Sequence, residues 1–411
     1  MTPGPEDLIH DWNRVGGGSP GRDVAFDDET LRDGLQSPSV TNPSLDAKLR
    51  FLHRVAALHI RHADVGLPGA GPSAARDAEA LCREITDARL EISPNCAART
   101  AQNDIVPVLE LAQRVGRPVE IMLFVGSSPI RAFVEGWATD EVVARTERWV
   151  SFAVERGAPV TFVTEDTTRS APEDLARLFG TAVRAGAGRV CIADTAGHAT
   201  PLGAHRIVQF VRGVLRAAGC GDVGVDWHGH NDRGLAVANA LAAVLAGADR
   251  LHATAFGVGE RVGNPPMEQL LVNARLLGWA RHDVSRLMEY VEEASAMLAV
   301  DIPPWAPMVG RDAFRTSTGV HAAAILKARE KGDEHLADLV YSAVPASWLG
   351  RRQVIDVGPM SGVSNVRCWL REHGYPETSE LVERIFAAAK EANRTLSQEE
   401  LHALAGTPPG R

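Results

Sequence analysis

The sequence predicts an α/β fold, a TIM (β/α)8 barrel followed by a mostly helical C-terminal subdomain. Short β-rich runs alternate with helical segments rich in Ala, Leu, Arg and Glu, as expected of βα units on a parallel sheet. Eight such repeats in about 250 residues match the usual size of this barrel. The rival is a doubly wound open sheet, but its glycine-rich dinucleotide fingerprint is missing after the first strand. We therefore favour the barrel.

The alternation gives the boundaries of the predicted elements and domains. The strands are predicted at residues 24–26, 62–65, 90–92, 119–125, 160–163, 189–193, 223–227 and 251–255. Past Gly278 the rhythm stops, and helices are predicted at 282–300 and over about 338–405. The predicted domains are an N-terminal extension and linker (1–21), a catalytic barrel (22–280) and a helical linker and C-terminal subdomain (281–411).

Composition and charge exclude several classes of partner. The chain is 45% hydrophobic and 23% charged, with a net charge of -9 and no Lys/Arg-rich run. We therefore expect no nucleic-acid or membrane partner. The N-terminus lacks a signal pattern, which predicts a cytoplasmic protein. The five cysteines are widely spread without a C-x-x-C motif, so any metal here must have nitrogen and oxygen ligands.

Two histidines separated by one glycine follow the seventh predicted strand. Alternate residues of a strand point to the same face, so His228 and His230 share a face, and Gly229 leaves room between them. Two imidazoles in this arrangement can hold one metal ion. A pair of surface histidines at a strand end has the same pattern, so the motif alone leaves both interpretations open.

Polar residues also follow other predicted strands, at the end where a TIM barrel has its active site. After the first strand, Asp33 offers a hard oxygen ligand and Arg32 a cation for an oxyanion. After the eighth, Asn264 offers a neutral oxygen. Strands one, seven and eight are neighbours in a closed barrel, so we expect these groups to converge with the histidines. Such a ligand set suits Mg, Mn or Zn as a Lewis acid.

Three segments together resemble the DRE-TIM metallolyase superfamily, and within it the 2-isopropylmalate and homocitrate synthase family. They are residues 28–34 (DETLRDG), 228–232 (HGHND) and 257–264 (GVGERVGN). The resemblance runs from about residue 22 to 370. It implies an acyltransferase that condenses acetyl-CoA with a 2-oxo acid in a Claisen-type reaction. Thioester hydrolysis then gives a 2-alkylmalate-type product.

The resemblance also implies roles for single residues in this site. Arg32 would stabilise the negative charge that grows on the attacked carbonyl. Glu165 would lie near the acetyl group. The divalent ion (Mg, Mn or Zn) would be held by Asp33, His228 and His230, with Asn264 close by.

A histidine and a tyrosine after the barrel contribute to the partner subunit's site in this family, and the matching positions are His321 and Tyr341. Enolisation of acetyl-CoA needs a general base in a site that excludes water. The resemblance therefore implies a homodimer with acetyl-CoA as co-substrate. From the residues alone, a capping histidine and an interface tyrosine explain these positions equally well.

Four further residues are predicted to bind substrate: Gln36, Thr195, Arg131 and His198. Thr195 would contact the carboxylate of the 2-oxo acid. Arg131 lies near the position where homocitrate synthases have an arginine for a distal carboxylate, which favours an acidic 2-oxo acid. His198 stands where isopropylmalate synthases often have tyrosine, and Met122 replaces a histidine on the fourth strand.

Leu35 departs from the synthase pattern, which usually has glutamate at this position. Leucine there is more typical of hydroxymethylglutaryl-CoA lyases, which are carbon–carbon lyases and the alternative hypothesis. Those lyases carry a cysteine in the eighth-strand loop, which this chain lacks, so we favour the synthase. A third hypothesis, a non-catalytic dimeric barrel scaffold, is disfavoured because the set of predicted site residues is intact. Longer isopropylmalate synthases continue into a leucine-binding domain, and we expect no leucine inhibition through such a domain here.

Overall fold

The computed structural model describes residues 8–13 and 23–406. Eight parallel strands close into a barrel in chain order, and the first strand pairs with the eighth. The predicted α/β TIM barrel is therefore confirmed. The strands are β1 (Ala25–Asp28), β2 (His62–Asp64), β3 (Ser93–Arg99), β4 (Glu120–Gly126), β5 (Val160–Glu165), β6 (Arg189–Asp194), β7 (Gly224–Gly229) and β8 (Arg250–Ala253).

Helices alternate with the strands, and most bury an apolar face against their neighbours. The first begins after Ser44, whose Oγ accepts a hydrogen bond from the Ala47 N–H at 3.3 Å. The seventh begins at Pro201, after Thr200, whose Oγ1 accepts a hydrogen bond from the Gly203 N–H at 3.2 Å. These helices are α1 (Leu45–Ala57), α2 (Pro72–Asp87), α3 (Gln102–Val115), α4 (Pro129–Glu135), α5 (Thr139–Val154), α6 (Pro172–Arg184), α7 (Pro201–Ala217), α8 (Ala236–Leu245), α9 (Met267–Leu276) and α10 (Leu287–Leu298).

The third strand differs from its prediction. We predicted it at residues 90–92, where the apolar run lies, whereas β3 spans Ser93–Arg99. This strand, SPNCAAR, has no β-branched or aromatic residue. Its side chains that face the barrel interior are small or polar. Asn95 is fully buried, and its Nδ2 donates to both carboxylate oxygens of Asp27 at 2.9 Å. Hydrophobic pattern therefore could not locate it.

The chain divides into two compact units, Gly16–Asp301 and the segments Met1–Val15 with Ile302–Arg411. Helix α10 belongs with the barrel, since its Tyr290 ring lies 5.2 Å from that of Phe51 on α1. The predicted domain boundaries at 21 and 280 remain a proposal, and the predicted linker at 16–21 lies outside the described residues. Within those residues, no helix combines the length and apolar character needed to cross a membrane.

The unit that contains residues 302–406 is mostly helical, with one short parallel pair of strands. Its first helix begins at Gly319, whereas we predicted the helical portion to begin at about residue 338. Its apolar core includes Trp369, Leu370 and Ile385. The elements are β9 (Arg315–Thr316), α11 (Gly319–Glu330), α12 (Glu334–Leu339), β10 (Val354–Ile355), α13 (Val363–Glu372), α14 (Ser379–Glu391) and α15 (Gln398–Ala405).

Candidate active site

A cavity of about 340 Å³ lies at the carboxyl ends of the barrel strands. One part of its wall is apolar and the other carries charged and polar groups. Seven of the predicted site residues line it: Arg32, Asp33, Gln36, Glu165, Thr195, His228 and His230. The strand ends thus bring together side chains that are far apart in the sequence, as the barrel frame predicts.

The three predicted metal ligands converge. Nε2 of His228 and Nε2 of His230 lie 3.6 Å and 3.8 Å from Oδ2 of Asp33, and 3.3 Å from each other. All three side chains are buried. Burial and the neighbouring His228 lower the pKa of His230 to about 4, so this imidazole is neutral at pH 7 and offers a lone pair. Burial opposes the charge of Asp33, but Arg32 and His228 outweigh it and lower its pKa.

Asn264 lies behind Asp33 and does not line the cavity. Its Nδ2 donates to Oδ2 of Asp33 at 3.1 Å. Its Oδ1 is buried without a hydrogen-bond partner in the described part of the chain, so the amide keeps one free oxygen acceptor. A Cβ atom at Gly259 would overlap this oxygen, so only glycine fits there. Two imidazole nitrogens and a carboxylate are donors that fit a divalent metal ion, and Asn264 donates to that carboxylate.

Arg32 is fixed by carboxylates on two strand ends. Its Nε donates to Oδ2 of Asp64 at 2.7 Å, and its Nη2 donates to Oε1 of Glu29 at 2.8 Å. Its Nη1 lies 3.4 Å from Oδ2 of Asp33. Burial opposes the guanidinium charge, but Glu29, Asp64 and Asp33 outweigh it and raise the pKa of Arg32 above its usual range. The site therefore contains a permanent, oriented cation beside the predicted metal ligands.

Glu29 contacts two histidines. Its Oε2 lies 2.8 Å from Nδ1 of His228, and its Oε1 lies 3.0 Å from Nδ1 of His252 on β8. Burial opposes the charge on His252, but Glu29 and Asp226 outweigh it and raise its pKa to about 10. Glu29, His228 and His252 form a second group whose ligand atoms lie within 4.8 Å of one another.

Glu165 is the last residue of β5 and Thr195 follows β6, and both line the cavity. Burial raises the pKa of Glu165. The Oγ1 of Thr195 accepts a hydrogen bond from the N–H of Asp166 at 2.8 Å, which fixes the threonine side chain. Arg261 closes the rim, donating to the carbonyl of Thr195 at 2.6 Å and to Asp232 at 2.9 Å.

Four predicted site residues lie elsewhere. Arg131 and His198 are exposed and do not line the cavity, and Arg131 pairs with Glu135 at 3.1 Å. His321, on α11, and Tyr341, just after α12, belong to the C-terminal unit, where their rings stack with centroids 4.0 Å apart. Their role in catalysis stays a prediction.

Four residues of this site were missing from the predicted set: Glu29, Asp64, His252 and Arg261. Glu29 was visible as part of an acidic cluster after the first strand, and Asp64 ends β2. Both signals were available, since carboxylates at barrel strand ends are candidates for chemistry. His252 gave no such signal, because a single histidine inside a strand reads as an ordinary core residue.

Comparison with known proteins agrees with this geometry. The model of the family described as HMGL-like matches residues 23–293. A 2-isopropylmalate synthase of Chromobacterium violaceum is 32% identical over 391 residues, covering 92% of this chain and 72% of the relative. Homocitrate synthase AksA of Methanopyrus kandleri is 31% identical over 375 residues, covering 90% and 87%. The crystal structure of the Bacillus subtilis HMG-CoA lyase matches with a TM-score of 0.58 at 17% identity, covering 70% of this chain and 97% of that one.

Proposed function

Because this chain belongs to the HMGL-like family, we propose that it catalyses the condensation of acetyl-CoA with a 2-oxo acid. The observation that carries the proposal is the convergence of Asp33, His228 and His230 beside the fixed guanidinium of Arg32. Relatives named as 2-isopropylmalate and homocitrate synthases match over about nine tenths of the chain. An acyltransferase of this type forms one carbon–carbon bond and hydrolyses one thioester.

A divalent ion fits the donor set of the cavity, and we propose that Asp33, His228 and His230 hold it, with Asn264 close by. When bound, the ion supplies Lewis-acid polarisation of the carbonyl oxygen of the 2-oxo acid. Mg, Mn and Zn all accept such donors. The burial of the three ligands keeps competing water away from their donor atoms.

The reaction moves charge onto the oxygen that Arg32 faces. The acetyl methyl group loses a proton, and its carbon forms a bond to C2 of the 2-oxo acid. The carbonyl electron pair moves to oxygen, where the Arg32 guanidinium stabilises it until it takes a proton. We propose that Thr195 binds the carboxylate of the 2-oxo acid and that Glu165 lies beside the acetyl group, with Gln36 at the rim. Water then cleaves the thioester and releases the thiol of CoA.

We propose that a second copy of the chain completes the site. The cavity of one barrel contains no histidine besides His228, His230 and His252 among its described lining residues, and the first two are the proposed metal ligands. His252 is paired on both ring nitrogens. We therefore propose that a histidine from elsewhere, acting beside Glu165, takes the acetyl proton. The stacked pair His321 and Tyr341 supplies this histidine in our proposal, reaching the site from the partner in a homodimer.

The residues that line the cavity indicate which kind of 2-oxo acid it can bind. Its apolar part includes Leu67, Ala97, Met122, Phe124 and Val163. The arginines among the described lining residues are Arg32 and Arg261, and both are already paired with carboxylates. A second carboxylate on the substrate would find no unpaired arginine here. We therefore favour an apolar 2-oxo acid over the acidic one that the sequence position of Arg131 favoured.

The alternative is carbon–carbon cleavage of a hydroxyacyl-CoA, as in HMG-CoA lyases. Leu35 favours it, since it occupies the position where synthases usually have glutamate. The solved lyase structures share the barrel at less than 25% identity, which bears on the fold alone. The missing cysteine in the loop after β8 argues against it.

Thiol release, which the synthase reaction produces, and acetyl-CoA formation, which the lyase reaction produces, separate these functions. Purified enzyme is incubated with acetyl-CoA and a panel of 2-oxo acids, with and without a chelator, and free CoA thiol is measured. We expect release that depends on both a 2-oxo acid and a divalent ion. A lyase frees no thiol, because carbon–carbon cleavage of hydroxymethylglutaryl-CoA leaves the thioester intact in acetyl-CoA. Formation of acetyl-CoA and acetoacetate from hydroxymethylglutaryl-CoA alone, measured by chromatography, would establish the lyase instead. Release that is insensitive to metal removal would refute the proposed mechanism.

A further inference from the structure

Charged side chains fill the interior of this barrel from the cavity towards the opposite end. TIM-barrel interiors are usually packed with branched apolar residues. Here Nε2 of His252 lies 3.2 Å from Oδ2 of Asp226, and Nε of Arg250 donates to the same oxygen at 2.8 Å. Arg250 also donates to Glu120 at 2.9 Å. We call this series the ion column: Glu29, His252, Asp226, Arg250 and Glu120. Negative and positive side chains alternate along it, and Glu29 is its end at the cavity.

The contact between Glu29 and His228 fixes the orientation of the imidazole. Oε2 of Glu29 lies 2.8 Å from Nδ1 in an ionic contact, and this oxygen has no hydrogen-bond partner among the described residues. Its negative charge favours the tautomer of a neutral His228 that carries the proton on Nδ1. The other nitrogen, Nε2, then presents its lone pair to the side where Asp33 lies, 3.6 Å away. Histidine ligands of metals commonly have a carboxylate beside their second nitrogen.

His230 has no such support. Its Nδ1 is buried and has no hydrogen-bond partner in residues 8–13 and 23–406. Of the two proposed histidine ligands, therefore, His228 alone is held by a carboxylate. Glu29 is itself held by two groups that donate to Oε1, the guanidinium of Arg32 at 2.8 Å and the imidazole of His252 at 3.0 Å.

We propose that Glu29 is a positioning residue that sets the tautomer and orientation of His228 for metal binding, held in place by His252 and Arg32. This inference rests on the proposed function, because it assigns Glu29 to the same metal site. It does not make Glu29 a ligand. Its Oε2 faces Nδ1 of His228, on the opposite side of the ring from the nitrogen that faces Asp33.

The competing explanation is a second metal ion held by Glu29, His228 and His252. The contacts of His252 oppose it. Nδ1 and Nε2 of this imidazole face carboxylate oxygens of Glu29 and Asp226 at 3.0 Å and 3.2 Å. Both nitrogens must carry protons to make these hydrogen bonds, and a protonated nitrogen has no lone pair for a metal ion.

Calorimetric titration of the full-length, metal-free protein with Mn²⁺ tests the proposal without any turnover. We expect one ion per chain in the wild type and in Glu29→Gln, with an affinity roughly 10- to 100-fold lower in the variant. Asp104→Asn is the matched control, because Asp104 is a salt-bridged carboxylate that is 1% exposed, like Glu29. Its affinity should stay within about twofold of the wild type. Two ions per chain, or equal affinity of Glu29→Gln and wild type, would overturn the proposal.

A second measurement covers the case in which Glu29→Gln fails to fold. Nitrogen-15 spectra of histidine side chains in the metal-free wild type report which ring nitrogen carries the proton. The His228 signal is the one that disappears in His228→Gln. We expect its proton on Nδ1, and a proton on Nε2 alone would overturn the proposal.

The outcomes separate this inference from the proposed function. Metal-dependent thiol release with unchanged Mn²⁺ affinity in Glu29→Gln would remove the positioning role alone. Weaker Mn²⁺ binding in Glu29→Gln, without thiol release from any 2-oxo acid, would remove the proposed reaction and leave the positioning role. A wild type that binds no Mn²⁺ would remove both.

Discussion

The Nε atom of Arg32 donates to Oδ2 of Asp64 at 2.7 Å, so a carboxylate on β2 fixes the cation that follows β1. The other side of the same guanidinium donates to Glu29 at 2.8 Å. A planar fork can satisfy both partners at once, whereas an ammonium group is a single point charge. The position of the positive charge in the cavity therefore depends on arginine, and this dependence can be measured.

Replacing Arg32 by lysine should slow the reaction while leaving the metal in place. The ammonium group cannot hold Asp64 and Glu29 together, so it will face the developing oxyanion poorly. We expect kcat to fall roughly 100- to 1000-fold, as for loss of one preorganised donor. Steady-state thiol release and Mn²⁺ titration are the two measurements. Arg99→Lys is the control, since Arg99 pairs with Asp104 and does not line the cavity. A kcat for Arg32→Lys within threefold of the wild type would contradict the assigned role.

Removal of the ion, or of one ligand, should abolish turnover. Asp33, His228 and His230 are the only three protein groups we assign as direct ligands, so losing one weakens binding sharply. We expect His230→Gln to lose activity at least roughly 1000-fold and not to recover at millimolar Mg²⁺, Mn²⁺ or Zn²⁺. His205→Gln on α7 is the control for replacing a histidine by glutamine, because His205 does not line the cavity. Activity of chelated wild type should return when one of the three ions is added back.

The apolar wall predicts the preferred 2-oxo acid. Burial of a branched side chain against Met122 and Phe124 is favourable, whereas a second carboxylate would be desolvated without a partner. We expect kcat/KM for 2-oxoisovalerate to exceed that for oxaloacetate and 2-oxoglutarate by at least about 100-fold. Arg131→Ala should change these ratios less than threefold. A preference for a dicarboxylic substrate that disappears in Arg131→Ala would restore the acidic hypothesis.

Glu268 gives a stability prediction that is separate from catalysis. This carboxyl group is buried at the start of α9, and its Oε2 accepts the N–H of Phe256 at 3.0 Å. Burial raises its pKa from 4.5 to about 7. A raised folded pKa means that the folded state binds the proton more tightly, so stability falls as pH rises from about 4.5 to 7. The shift corresponds to roughly 3 kcal/mol.

Glu268→Gln should therefore remove part of this pH dependence. We expect the variant to be about as stable as the wild type at pH 5 and more stable at pH 8, by up to about 3 kcal/mol. Urea unfolding at the two pH values measures this, with the exposed Glu147→Gln as the control. If the free energies of unfolding of Glu268→Gln and wild type differ by the same amount at pH 5 and pH 8, ionisation of Glu268 does not destabilise the folded state and the prediction is wrong.

The barrel and the convergence of Asp33 with the two histidines were predictable from the sequence, because strand period and chain order dictate which strand ends are neighbours. The ion column of charged side chains inside the barrel could not be predicted in this way. Asn95, His252 and Arg250 point into the barrel, and an isolated polar residue in a strand does not reveal which partner satisfies it. The position of β3 was missed for the same reason, since its inward face is small and polar. Arg131 shows a further limit, because a residue next to a motif can lie outside the cavity lining and pair with a carboxylate on its own helix.

The last prediction concerns the origin of the catalytic base. If His321 acts in the partner's site, two inactive variants should complement each other when their subunits mix. A dimer of Asp33→Asn with His321→Ala then contains one site with an intact barrel and an intact His321. Random mixing at equal amounts should restore about a quarter of the wild-type activity per site, because half of the dimers are mixed and each has one intact site of two.

Thiol release after mixing and subunit exchange measures this, and each variant alone is the control for residual activity. If His321 serves the barrel of its own chain, every site in the mixed dimer carries one lesion and no activity returns. Tyr341→Phe should behave as His321→Ala does in the same experiment, since the two rings stack within one unit. Absence of recovery, with mixed dimers demonstrated by native mass spectrometry, would place His321 in its own subunit's site or outside catalysis.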